Sequence, residues 1–121
     1  MSSKPLAHAL HIHFSQMQFG LYKIKRLILK GNYKFTDKAE TEMYATNITR
    51  TDVLEAIVNA FSIDKIMKSI SPGKTHRGEK VYVIKGVTYD NIPIYTKGAI
   101  KQFNGRDILY ILISAKREGI L

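Results

Sequence analysis

Between Asn91 and Lys116 the chain reads NIPIYTKGAIKQFNGRDILYILISAK, a stretch whose hydroxyl and ammonium groups recur at strand spacing. Alternation at period two puts Tyr95 and Lys97 on one side of a first strand, with Ile92, Ile94 and Thr96 on the other. Along Ile108 to Lys116 the same rule groups Tyr110, Ser114 and Lys116 against Leu109, Ile111, Ile113 and Ala115. If the two strands pair in one sheet, joined by a basic loop, hydroxyls and ammonium groups converge on one surface. Such a surface can hold phosphate, since hydroxyls donate to its oxygens and ammonium groups neutralise its charge. The aliphatic side chains then face a helical layer.

The rest of the chain reads as support for that pair of strands. Leu21, Ile24, Leu27 and Ile28 have the spacing of one helical face, with Lys23, Lys25, Arg26 and Lys30 on the others, and Gly31 supplies a left-handed stop. Tyr33 to Phe35 reads as a short extended link. A second helix opens at Thr36 or Asp37, where Asp37 and Glu40 resemble a capping box, and buries Ala39, Met43 and Tyr44. A third starts at Thr49, with Asp52 at cap-box spacing and Val53, Ala56, Ile57 and Ala60 as its apolar face. Glu40, Glu42, Asp52 and Glu55 thus have structural explanations and none is assigned to catalysis.

Beyond Ala60 the pattern turns extended. Ile63 to Ile70 reads as a strand, Ser71 to Gly78 as a polar connection, and Glu79 to Val87 as a strand rich in β-branched residues. Asp90-Asn91 turns into the strand of Tyr95, and Gly98 to Arg106 is read as a loop before the last strand. The expected fold is α+β, with N-terminal helices packed on a mostly antiparallel sheet of about four strands. Residues 1–19 form an N-terminal arm of unknown role, and residues 20–121 a single domain.

Composition narrows the function classes. A chain of 121 residues with 45% hydrophobic and 24% charged residues is that of one ordinary globular domain. Nineteen Lys and Arg against ten Asp and Glu leave a net charge of +9, which favours an anionic partner, nucleic acid above all. Without cysteine there is no disulfide framework and no thiolate metal site. His8, His11 and His13 lie close together but have no carboxylate nearby, so no metal is assigned. The longest aliphatic run, Ile108 to Ala115, falls far short of the roughly 20 residues of a membrane helix, and the histidines interrupt any signal-peptide core. A non-secreted, cytoplasmic chain without a membrane span is expected.

The order of elements resembles the RelE/ParE superfamily of bacterial toxins, and more narrowly the MqsR-type mRNA interferases. The resemblance runs from about Lys23 to Glu118. It is carried by Thr36-Asp37-Lys38-Ala39, by Asp52 to Ile57, by Asp64-Lys65-Ile66-Met67-Lys68-Ser69, and by the strand signatures Glu79-Lys80-Val81-Tyr82, Ile94-Tyr95-Thr96-Lys97 and Asp107 to Lys116. It implies a toxin that cleaves messenger RNA without a metal or other cofactor, with ribosome dependence varying among members, and a cognate antitoxin as partner. It also implies catalytic roles for Lys68, Tyr95 and Lys97, and an RNA contact at Lys116. Glu79 stands where such toxins carry glutamine, a departure that suits catalysis only if the carboxylate serves as a base. Arg106, His76 and Lys101, from adjoining segments, are further RNA contacts.

Cleavage by the neighbouring 2′-hydroxyl needs a base for its proton, cations for the crowded phosphorane and an acid for the departing 5′-oxygen. A tyrosine can be the acid or base, and clustered lysines supply the charge. Two other classes compete: a non-catalytic nucleic-acid-binding module, and a ParE-like toxin directed at gyrase. A secreted effector domain would share the first chemistry.

Overall fold

Helix α1 (Lys4–Leu29) begins well ahead of the expected Leu21 in the computed structural model, which describes residues 4–68 and 79–119, with side chains from residue 17 onward. The side chains of His8, His11 and His13 lie outside the described residues. Leu21, Ile24, Leu27 and Ile28 are buried as their spacing predicts, and Met17 packs on the same core one turn earlier. Gly31 adopts φ +80°, so that the Asn32 N–H reaches the Leu27 carbonyl at 2.8 Å and the Gly31 N–H reaches that of Ile28 at 3.0 Å. These two bonds satisfy carbonyls that the helix end leaves open.

Helices α2 (Asp37–Ala45) and α3 (Arg50–Asn59) follow. Thr49 and Asp52 form the expected capping box. At α2 the cap is Thr36, whose hydroxyl accepts from the Ala39 N–H at 3.1 Å. Asp37 and Glu40 therefore lie within the first turn, where carboxylates favour the positive end of the helix, and they do not form a box. Ala39 and Met43 are buried, whereas Tyr44 is 90% exposed. Val53, Ala56, Ile57 and Ala60 are all buried. At Gly86 the backbone of α3 comes so close that a Cβ would strike the Ala56 carbonyl. Lys25 ties α1 to the end of α3, its ammonium donating to the Ala60 carbonyl at 2.6 Å, and burial lowers its pKa.

Among the described residues five strands form one mixed sheet in the order β1-β5-β4-β3-β2. They are β1 (Tyr33–Phe35), β2 (Lys65–Lys68), β3 (Lys80–Val87), β4 (Pro93–Phe103) and β5 (Arg106–Arg117). The α+β class and the helices packed on the sheet are as expected, but a sheet of about four mostly antiparallel strands is not the full count. The segment read as a link, Tyr33 to Phe35, pairs in parallel with β5, with Tyr33 opposite Tyr110 and Phe35 opposite Leu112. Burial of Phe35 beside Leu112 gives those three residues their strand phase. The other three pairings are antiparallel.

The expected loop from Gly98 to Arg106 is also corrected. β4 runs to Phe103 and β5 starts at Arg106, leaving Asn104-Gly105 as a two-residue turn with φ of 53° and 76°. Positive φ at both positions matches the tight turn that follows strand twist, for which Asn-Gly is the preferred pair. Among the described residues no helix is long and apolar enough to cross a membrane.

Candidate functional site

Two faces of the sheet have different fates. Phe35, Ile84, Ile94, Tyr110, Leu112 and Ala115 join the buried cluster with α1, α2 and α3. The alternate residues point to the other side, where Val83 and Ala99 are buried yet belong to no helix-contacting cluster. Pairing carries this outer face across the strands in rows. Lys116, Tyr95 and Lys85 form one, and Ser114, Lys97, Val83 and Lys65 begin the next. Ile111 lies between Lys34 and Ala99, and Lys101 is opposite Leu109. Aliphatic side chains thus line part of a face on which the lysines stand.

Tyr95 and Lys116 bring a hydroxyl-bearing ring and a cation together on this face. The Lys116 ammonium lies 5.4 Å from the centre of the Tyr95 ring, within the range of a cation–π contact. Lys97 follows Tyr95 on the same side, about 7 Å further along the strand. Lys85 is opposite Tyr95 and lies 3.3 Å from the Glu118 carboxylate. The hydrogen bond to Glu118 raises the Lys85 pKa above its ordinary value, with further contributions from the charges of Glu118, Asp64 and Tyr95.

A change of phase in β5 assembles this cluster. Lys97 pairs with Ser114 but Gly98 pairs with Leu112, so Ile113 is an extra residue and the strand bulges. Strict alternation would put Tyr110 on the face of Lys116. Instead Tyr110 is fully buried in the core, its ring lying so near Gly98 that a Cβ there would fall 2.5 Å from both Cζ and Oη. Ser114, expected to present its hydroxyl, is buried too, and donates to Glu42 Oε1 at 2.6 Å.

Helix α2 holds this end of β5. β1 ends at Phe35, opposite Leu112, and beyond that point β5 has no strand on its outer side. Side chains of α2 take over: Glu42 Oε1 accepts from the Ala115 N–H at 3.1 Å, and Thr46 Oγ1 accepts from the Arg117 N–H at 3.1 Å. Thr36 donates its hydroxyl to the Ile113 carbonyl at 3.1 Å. The strand edge is thereby covered, and Lys116 is fixed between two anchored residues.

The remaining expected site residues are dispersed. Lys68 pairs with Lys80, on the side of the sheet that carries Ile66 and Tyr82 and faces the helices. It is therefore on the opposite face from Tyr95, about 20 Å away by two strand spacings and the rise from Lys80 to Lys85. Glu79 and Lys101 meet each other at 2.8 Å, at the end of the sheet remote from Tyr95. Arg106 is exposed at the β4–β5 turn. His76 lies outside the described residues. Lys85, which the sequence reading leaves aside with Lys80 because the resemblance gives neither a role, stands opposite Tyr95 on this face.

The chain matches no protein-family model, no curated protein and no solved structure with which it was compared.

Proposed function

We propose that the chain is a metal-independent endoribonuclease of the bacterial toxin type, acting on messenger RNA at the outer sheet face and restrained by a cognate antitoxin. The observation that carries this reading is the Lys116 ammonium against the Tyr95 ring at 5.4 Å, with Lys97 beside them on the same face. A phenol among ammonium groups is a group that can exchange a proton where phosphate is held.

In this reading the 2′-oxygen attacks the adjacent phosphorus and loses its proton, and the bond to the 5′-oxygen breaks. The products are a 2′,3′-cyclic phosphate and a 5′-hydroxyl, so no water is consumed. Tyr95 gives its phenolic proton to the departing 5′-oxygen, the 2′-hydroxyl proton passes to solvent and the phenolate is reprotonated from solvent, while Lys97 and Lys116 stabilise the phosphorane. The placement of Lys68 and Glu79 away from Tyr95 favours a smaller reacting group than the resemblance implies.

The test is induced expression of the wild-type chain beside Tyr95→Phe, with growth and messenger RNA integrity followed together. Growth arrest with RNA fragmentation, both relieved by Tyr95→Phe in a folded protein, is the expected result. Arrest with intact RNA would point to a gyrase-directed toxin. No arrest would favour a second reading, a non-catalytic RNA-binding module. The lysines beside aliphatic rows on the outer face support that second reading, because they can hold a strand without any proton transfer.

A further inference from the structure

Four residues of α1, Phe19, Tyr22, Arg26 and Leu29, recur at intervals of three, four and three, the spacing of a seam that packs against another helix. This stripe lies away from the core, to which the helix already commits Leu21, Ile24, Leu27 and Ile28. Phe19 is 61% exposed, Tyr22 56% and Leu29 74%. Tyr22, Lys25, Arg26, Leu29 and Lys30 line an open hollow of about 440 Å³ along it. Phe61, 94% exposed, extends the apolar patch beside Lys25, because it follows Ala60, whose carbonyl accepts from the Lys25 ammonium at 2.6 Å. Large apolar groups gathered in this way mark an interaction surface, where scattered single ones do not.

The flanks of the stripe select its occupant. With Phe19 and Arg26 at the a positions of a heptad and Tyr22 and Leu29 at the d positions, the flanking e positions fall on Lys23 and Lys30 and the g positions on Gln18 and Lys25. Lys23 is held by Asp107 at 3.4 Å, whereas Lys25, Arg26 and Lys30 have no carboxylate partner among the described residues. A second copy in parallel would set Lys25 against Lys30, and an antiparallel one would face the e lysines with each other; both arrangements repel. A nucleic-acid strand would meet the cations but leave Leu29 without a matching group. A helix with apolar residues along its own seam and carboxylates beside them satisfies both the stripe and the cations.

We propose that the outer face of α1 from Phe19 to Lys30 docks an acidic amphipathic helix of a partner protein, its apolar residues against Phe19, Tyr22 and Leu29 and its carboxylates against Lys25, Arg26 and Lys30. The stems of the three basic side chains add apolar area to the seam while their charges reach the rim. Arg26 also donates to the Tyr22 hydroxyl at 3.2 Å, which holds two members of the stripe together before any partner arrives. The surface is on the helical side of the sheet, opposite the face of Tyr95, and the docking stands whether or not the chain cleaves RNA.

The test is a titration of the full chain, followed by backbone amide NMR signals, with a synthetic heptad peptide carrying Leu at a and d and Glu at e and g. Two control peptides carry Lys at e and g, or Ser at a and d. The titrations are run at about 0.15 M salt, where exposed charges more than roughly 8 Å apart are largely screened. The Leu/Glu peptide is expected to move the signals from Phe19 to Lys30, and neither control to do so. Tyr22→Ser and Leu29→Ser, at exposed positions, should each weaken its binding by about fivefold or more while the rest of the spectrum stays in place. The proposal is overturned if the Ser peptide binds as well as the Leu/Glu peptide, if both serine variants bind as the wild type does, or if the shifts gather at Tyr95 and Lys116. It is equally overturned if the chain alone pairs through these signals, or if a single-stranded oligoribonucleotide or a phosphatidylserine vesicle moves them and the Leu/Glu peptide does not.

Discussion

Glu42 Oε1 accepts hydrogen bonds from the Ser114 hydroxyl at 2.6 Å and from the Ala115 N–H at 3.1 Å, so one helix carboxylate serves two neighbouring residues of a strand. Glu42→Ala leaves both donors without this partner in a buried setting, at a cost of about 1–3 kcal/mol. Glu42→Gln keeps a carbonyl acceptor and should cost less than half as much. Urea unfolding of the two variants gives the comparison, and equal losses would show that the charge, not the acceptor geometry, holds the seam.

The Tyr110 hydroxyl is buried without a hydrogen-bond partner among the described residues, and burial pushes its pKa far above the ordinary value, with the Tyr82 charge adding to the effect. Tyr110→Phe should therefore leave stability unchanged or raise it by about 1 kcal/mol.

The same group sets an alkaline limit. The folded state keeps the Tyr110 proton, while the unfolded chain loses it near pH 10. Above that pH the unfolded state binds fewer protons, so stability falls with rising pH by about 1.4 kcal/mol per unit for this one group. The loss is absent below pH 10 and continues until the folded phenol ionises. Tyr82, also raised, adds to the slope. Denaturation midpoints from pH 8 to 11 should fall less steeply in Tyr110→Phe than in wild type.

Gly86→Ala forces a methyl group into the Ala56 carbonyl, a backbone atom with no rotamer to yield. Helix α3 must lift from β3, and a loss of about 3 kcal/mol is expected. A thermal melt shows it, and a variant that melts with the wild type would mean that the helix shifts freely on the sheet.

For the outer face, Lys97→Ala and Lys116→Ala should each reduce the dependence of log affinity on log salt by about 0.7 for a single-stranded oligoribonucleotide. In the ribonuclease reading, Tyr95→Phe should lower the cleavage rate by about 10² to 10⁴ with little change in that affinity. Lys68→Ala should slow cleavage far less than Lys97→Ala.

Much of this architecture was legible in the sequence where a single period ran without interruption. Leu21, Ile24, Leu27 and Ile28 are buried on one helix face, and Ile94 and Thr96 are buried while Tyr95 and Lys97 are not. Alternation failed in β5 because Ile113 is inserted into the ladder, and a bulge leaves no mark in residue type. Tyr110 was consequently placed beside Lys116, on the wrong side of the sheet. The Asn104-Gly105 turn did have a mark, the Asn-Gly pair itself, and reading it would have extended both strands. Three residues of β1 carry too little pattern to reveal a partner that lies 77 positions away. The position of Lys68 failed for a related reason: motif resemblance fixes neighbours along the chain, whereas strand phase decides which face a side chain reaches.

The parallel pairing of β1 with β5 has a kinetic consequence. β3 and β4 are joined by a short hairpin, as are β4 and β5, so these strands can find one another over short loops. β1 and α2 must wait for a segment far along the chain, and closing so long a loop carries a larger entropy cost before any contact repays it. The anchoring of Lys116 by Glu42 and Thr46 is thus expected to come late in folding, after the β3–β4–β5 hairpins have paired.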